Sequence, residues 1–243
     1  MRLGEAHVGG LRALRGGDGP PLVHLHGAAG LHADPALELL ADDFDVLALE
    51  LPGFGRSPAP RTFDEAAVVV LDALAEAGIE TCALAGTSFG AVVALHAALA
   101  APERVEALVL LAPAALRPAG WRPPAPEELP RALFVRPDRE GLPAPARPED
   151  GAFVAALLDG LDQEALRARL PALPTPTLVA FGTEDGLFPP ELGSDYRALI
   201  PGCSFVLVWD AAHELGWDRP DAVAALVGDF VLRHEAFAVG TTG

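Results

Sequence analysis

The chain has 243 residues, 51% hydrophobic and 21% charged, enough to bury a large core as one domain with an insert. Its formal net charge of −17 repels phosphate backbones and disfavours nucleic acid as a partner, and no basic cluster marks an anionic membrane surface. All 17 basic residues are arginine, so Schiff-base chemistry, pyridoxal attachment and a P-loop lysine are excluded.

The opening MRLGEAHVGG has no apolar core of a secretory signal, and EAHVG (5–9) with LRALRG (11–16) predicts an antiparallel hairpin. PLVHLHG (21–27) and DVLALELPG (45–53) are apolar at nearly every position, as strands buried on both faces of a parallel sheet are. A helical pattern, FDEAAVVVLDALAEAG, comes next over 63–78 and is closed by Gly78. Residues 81–102 carry no Asp, Glu or Arg and are long enough to span a membrane, but Gly86, Gly90 and Pro102 interrupt them. They read better as a buried strand, a turn and a buried helix. ALVLLAP (107–113) is the next strand.

The alternation then breaks. Ten of the 24 prolines fall between Pro113 and Pro148, which discourages long regular elements. Helical spacing returns over 151–170. Trp121, Leu133, Phe134 and Phe153 are apolar anchors, so 114–170 is expected to be an insert packed over a core made of 1–113 and 171–243. TPTLVAFG (175–182) and SFVLVWD (204–210) supply two more buried strands, and 218–234 a helix with Asp218 as N-cap. The tail, 236–243, is expected to fray. The fold expected is α/β: a mostly parallel central sheet of about eight strands, helices on both faces and a small insert. Cys82 and Cys203 lie in apolar runs and read as buried free thiols, consistent with a cytoplasmic protein.

In an open α/β sheet, ligands bind beyond the carboxyl ends of the strands. The residues just past each strand are therefore the candidates for a site. They are, in turn, His26-Gly27-Ala28-Ala29-Gly30, Pro52-Gly53-Phe54-Gly55, Thr87-Ser88-Phe89, Thr183-Glu184-Asp185 and Ala211-Ala212-His213. A serine, an acid and a histidine thus leave one sheet edge. GTSFG (86–90) sets Ser88 at a strand-to-helix turn, where glycines on either side allow close approach and the helix N-terminus favours developing negative charge. Asp185 is preferred over Glu184, which points elsewhere, and over Asp210, which is read as still inside the last strand.

HLHGAAG (24–30), ELPGFGRS (50–57), GTSFG (86–90), FGTEDGLFP (181–189) and AAHELGWDRPDAV (211–223) together resemble, in order, the landmarks of the α/β-hydrolase superfamily, in its compact branch with a lid insert. Glu50 departs from the family's usual aspartate, and the insert is short and rich in proline. The resemblance implies a serine hydrolase acting on a small ester or related acyl substrate. Ser88 would be the nucleophile, His213 the base and Asp185 its orienting acid, with the backbone N–H groups of Ala28 and Phe89 forming the oxyanion hole. His26, Gly27, Phe54, Trp121, Phe134 and Leu187 are expected to shape the substrate pocket. His24 and His26 form H-x-H but lack further ligands nearby, so no metal is expected, and no cofactor; Gly53-Phe54-Gly55 has no third glycine for a dinucleotide. His96 reads as a core histidine. The expected partner is a small-molecule substrate, and the protein a monomer or homodimer. The same fold leaves open carbon–carbon bond hydrolysis, a lyase or cofactor-free haloperoxidase chemistry, and a different class altogether, a small-molecule-binding protein with a vestigial triad.

Overall fold

The computed structural model describes residues 2–234; the tail expected to fray lies outside them. Eight strands form one sheet: β1 (Gly4–Val8), β2 (Leu11–Gly16), β3 (Pro21–Leu25), β4 (Asp45–Leu49), β5 (Cys82–Thr87), β6 (Val105–Leu111), β7 (Thr177–Gly182) and β8 (Ser204–Val208). Their order is β1-β2-β4-β3-β5-β6-β7-β8. β1, β2 and β4 pair antiparallel, and every other neighbouring pair is parallel. The predicted hairpin turns on Gly9 and Gly10, whose φ values of 54° and 77° suit a two-residue turn.

The helices are α1 (Pro35–Leu40), α2 (Phe63–Glu76), α3 (Phe89–Ala100), α4 (Leu129–Leu133), α5 (Pro148–Asp159), α6 (Gln163–Arg169), α7 (Leu192–Leu199), α8 (Leu215–Asp218) and α9 (Pro220–Arg233). α2 begins at Thr62, whose side chain accepts from the Glu65 N–H at 3.1 Å, and stops before Gly78 at φ 72°. α3 packs on β3, β5 and β6 beneath α2, and every residue from Phe89 to Ala98 is buried. That accounts for the charge-free stretch: β5 and α3 have no wet face to carry a charge. Among the described residues no helix is long and apolar enough to cross a membrane. Every residue of β5 and of β7 is buried, so both sheet faces are covered.

Three local expectations are corrected and one, the helical spacing over 151–170, is refined. β8 is an edge strand, with Leu207 50% exposed, and Trp209 just beyond it is 74% exposed, so its apolar run is not buried on both sides. β8 ends at Val208, so Asp210 lies in the turn after it, at φ 56°. The pattern over 151–170 is two helices, α5 and α6, broken at Gly160. Asp218 does not cap α9. It ends α8, and its carboxylate accepts from the N–H groups of Ala212 at 2.9 Å and Val135 at 3.1 Å.

Between β6 and β7 the chain is tied down by polar contacts. Arg117 donates to Leu158 O and stacks over Trp121 at 5.7 Å, and the Trp121 indole N–H donates to Leu187 O at 2.9 Å. Cys82 and Cys203 are free and buried.

Candidate active site

The parallel strands all end at one edge. Pairing of Leu25 with Gly86 in the β3–β5 ladder sets the loop after β3 beside the β5–α3 turn. In that turn Ser88 has φ 53° and ψ −111°, a conformation L-residues rarely adopt. The flanking glycines are required by space. A Cβ on Gly86 would lie 2.5 Å from Gly90 O, and one on Gly90 would collide with Leu25 O and approach His26 O to 2.5 Å. Gly90→Ala is therefore expected to cost about 3 kcal/mol or more, read as a lowered Tm, because the obstacles are backbone carbonyls that cannot rotate away.

Asp185 and His213 are brought together. Asp185 Oδ2 lies 3.0 Å from His213 Nδ1, while Oδ1 accepts from the N–H groups of Leu187 and Phe188, each at 2.9 Å. An ionised carboxylate only accepts, so His213 Nδ1 carries the proton and donates, and Nε2 keeps a lone pair. That Nε2 is buried and has no hydrogen-bond partner among the described residues. Burial disfavours the imidazolium, but the charge and hydrogen bond of Asp185, with a further contribution from Glu214, outweigh it and hold the His213 pKa above 6.5. Glu184 is exposed and accepts from Thr183 Oγ1. The segment around the end of α4 braces both loops: Gly186 N–H donates to Ala132 O and Glu214 N–H to Leu133 O.

His26 is held by two bonds within the protein. Nε2 accepts from Leu51 N–H at 3.0 Å, so Nδ1 carries the proton and donates to Gly27 O at 2.7 Å. Burial lowers its pKa to about 4, and the neutral ring ties the loop bearing Ala28 to the end of β4. His24 Nε2 lies 3.0 Å from Thr87 Oγ1. His96 is buried against Phe63 and bonded to Asp64.

The six residues expected to shape a pocket do not share one cavity. His26 and Gly27 line a cavity of about 30 Å³, whereas Trp121 and Leu187 line a cleft of about 700 Å³ beside Asp185. Phe54 is buried in an aromatic wall, edge-on to His26 at 4.6 Å and 6.0 Å from Phe89, and Phe134 is buried. Phe153 of α5, which the sequence marks only as an apolar anchor, completes that wall at 5.8 Å from Phe54 and 6.0 Å from Phe89.

Sequence reasoning does not single out Asp34. It caps α1 by accepting from Ala36 N–H at 2.7 Å, and burial, reinforced by Glu214, pushes its carboxyl up to about 7. A carboxyl whose pKa rises on folding contributes most stability below its unfolded value near 3.8 and loses it as pH climbs through 7. Asn is an equally good cap and carries no charge. Asp34→Asn should therefore raise Tm by about 3 °C at pH 8 and change it little at pH 4, read by thermal melts.

Comparison with known proteins shows the family. A family model described as the alpha/beta hydrolase family matches residues 22–226. A pimeloyl-[acyl-carrier protein] methyl ester esterase of Neisseria meningitidis is 30% identical, the match covering 86% of this chain and 91% of that protein. The protein of the same description from Methylococcus capsulatus is 30% identical over 88% of this chain and 96% of its own length. Among solved structures, the 2-hydroxy-6-oxo-6-phenylhexa-2,4-dienoate hydrolase of Rhodococcus sp. strain RHA1 superposes with a TM-score of 0.76 at 22% identity, covering 95% of this chain and 99% of that one, a likeness of fold. The chain belongs to the alpha/beta hydrolase family.

Proposed function

We propose that the protein is a serine hydrolase that cleaves small carboxylic esters through an acyl-enzyme on Ser88. The observation that carries this reading is the Asp185–His213 bond of 3.0 Å, which leaves a basic, unpartnered Nε2 at the sheet edge where Ser88 emerges. Ser88 Oγ attacks the ester carbonyl as Nε2 takes its proton. The resulting oxyanion accepts from the N–H groups of Ala28 and Phe89, the latter at the start of α3 where helix N–H groups have no internal partner. His213 then returns the proton to the departing alcohol, and water, activated by the same nitrogen, releases the acid.

The chain from 114 to 170 serves as a lid, with Phe153 lying over the turn at Gly53 and closing the aromatic wall beside Ser88. The names of the Neisseria and Methylococcus relatives, methyl ester esterases, favour a small leaving alcohol. The buried thiols of Cys82 and Cys203 fit a reducing compartment such as the cytoplasm.

The test is incubation with a short-chain aryl ester and, separately, with a fluorophosphonate, followed by peptide mass mapping. Ester turnover and a single adduct on the peptide carrying Ser88 are expected; a folded sample with neither would sink the proposal.

A further inference from the structure

Residues 112–116, just past β6, form neither helix nor strand, yet all of them are buried. Buried backbone outside regular elements must still find partners for its N–H and C=O groups. Two neighbours supply them. One is the backbone of Ser88, whose N–H donates to Leu111 O at 2.8 Å and whose carbonyl accepts from Ala114 N–H at 3.3 Å. The other is Tyr196 of α7, whose hydroxyl accepts from Leu116 N–H at 2.9 Å and donates to Pro113 O at 3.2 Å. Ala112 donates to Ala180 O at 2.8 Å and has φ 44°, which L-residues rarely adopt.

Ser88 O and Phe89 N–H belong to one peptide unit. That unit is planar and trans, so its carbonyl and its N–H point in opposite directions. Fixing Ser88 O on Ala114 therefore fixes the aim of Phe89 N–H. The unusual φ and ψ of Ser88 need such support, because a strained residue persists only where its surroundings over-determine it. The support is as firm as residues 113–116, and Tyr196 grips both ends of that stretch.

Tyr196 is suited to the task. Its ring is 0% exposed, and α7 packs on β7 and β8 of the sheet. Burial pushes the hydroxyl's pKa up, so it stays protonated and can donate and accept at once. Phenylalanine would fill nearly the same space, so what the hydroxyl adds is its two bonds.

We propose that Tyr196 is a positioning residue: through residues 113–116 its hydroxyl holds the Ser88–Phe89 peptide so that Phe89 N–H meets the developing oxyanion. This rests on the reading of Ser88 as the nucleophile and of Phe89 N–H as an oxyanion donor.

The first test is Tyr196→Phe, assayed on a short-chain aryl ester. The oxyanion exists only after attack, so a loosened donor weakens the transition state and leaves substrate binding alone. kcat should fall about tenfold with KM within about twofold of the wild type, a smaller loss than the roughly hundredfold or more that follows deletion of an oxyanion donor. Tm should fall too, because Leu116 N–H and Pro113 O lose their partner. Leu11→Ala, a buried change in β2 near the far edge of the sheet, lowers Tm without touching the site, so its kcat should stay at the wild-type value. A kcat of Tyr196→Phe within about twofold of the wild type, a change in KM alone, or an equal kcat loss in Leu11→Ala overturns the proposal.

Tyr196 is the only tyrosine in the chain, which gives a second readout needing no destabilised variant. In protein grown on 3-fluorotyrosine, the fluorine resonance of residue 196 should shift when an aryl alkylphosphonate has reacted with Ser88 and its phosphoryl oxygen takes up Phe89 N–H. An unmoved line with Ser88 labelled overturns the positioning role alone. Wild-type protein that neither hydrolyses the ester nor labels at Ser88 overturns the nucleophile reading and the positioning role with it.

Discussion

Replacing Ser88 by alanine is expected to lower kcat by about five to six orders of magnitude, the scale on which a nucleophile acting as one unit with its base is lost. The same change should barely move Tm. No hydrogen bond among the described residues engages the Ser88 side chain, and alanine tolerates a φ of 53° no better than serine does. Ser88→Gly separates the two properties. It removes the same nucleophile, but glycine adopts positive φ freely, so this variant should be more stable than the wild type by about 1 kcal/mol. Equally inactive variants with different melting points would mean that the backbone strain at Ser88 is kept for what the side chain does. Ser88→Ala retaining more than about 1% of kcat, against an expected loss of several orders, would place the nucleophile elsewhere.

The parts of this site legible in the sequence are those dictated by backbone geometry. A parallel strand buried on both faces must be apolar throughout, and a strand running straight into a helix can tolerate no side chain at Gly86 or Gly90. Both constraints leave a local signature, so the sheet, the turn and the residues after each strand can be read in order. The misreadings share a different cause, because they depend on neighbours distant in sequence. SFVLVWD has the pattern of a central strand, yet the sheet simply ends there and Leu207 and Trp209 face outward. Asp218 stands where an N-cap would, but two distant amides, those of Val135 and Ala212, take its carboxylate. The aromatic residues of the proline-rich segment can be recognised as anchors without being placed, which is why the sequence groups Trp121 with Phe54 although Trp121 lines the cleft beside Asp185 and Phe54 is buried in the aromatic wall. Glu214 has one available signal, an acid immediately after the histidine. The small cavity it shares with Asp34 and Gly27 exists only once folding brings them beside it.

The segment between β6 and β7 also braces the loops of the site. Ala132 O and Leu133 O accept from Gly186 and Glu214, the residues next after Asp185 and His213. One short stretch of backbone therefore holds both loops, so a shift in it would alter the Asp185–His213 geometry.

That geometry makes Asp185→Asn the second informative change. In the native protein Oδ1 accepts two backbone N–H groups, from Leu187 and Phe188. An asparagine must keep its carbonyl oxygen there, because its amide nitrogen cannot accept. The NH₂ group then faces His213 Nδ1, forcing that nitrogen to accept and moving the ring proton to Nε2. Nε2–H cannot take a proton from Ser88, so kcat should fall by about four orders of magnitude with little change in the fold. The pH dependence carries a separate signature. The native His213 pKa lies above 6.5 because Asp185 outweighs burial; with that charge gone, burial dominates and the pKa drops. The acid limb of kcat/KM, which reports the free enzyme's base, should have its midpoint above 6.5 in the wild type and move to lower pH in the residual activity of the variant. A loss of rate with an unmoved acid limb would mean that the titrating group is not His213, and that its bond to Asp185 is structural.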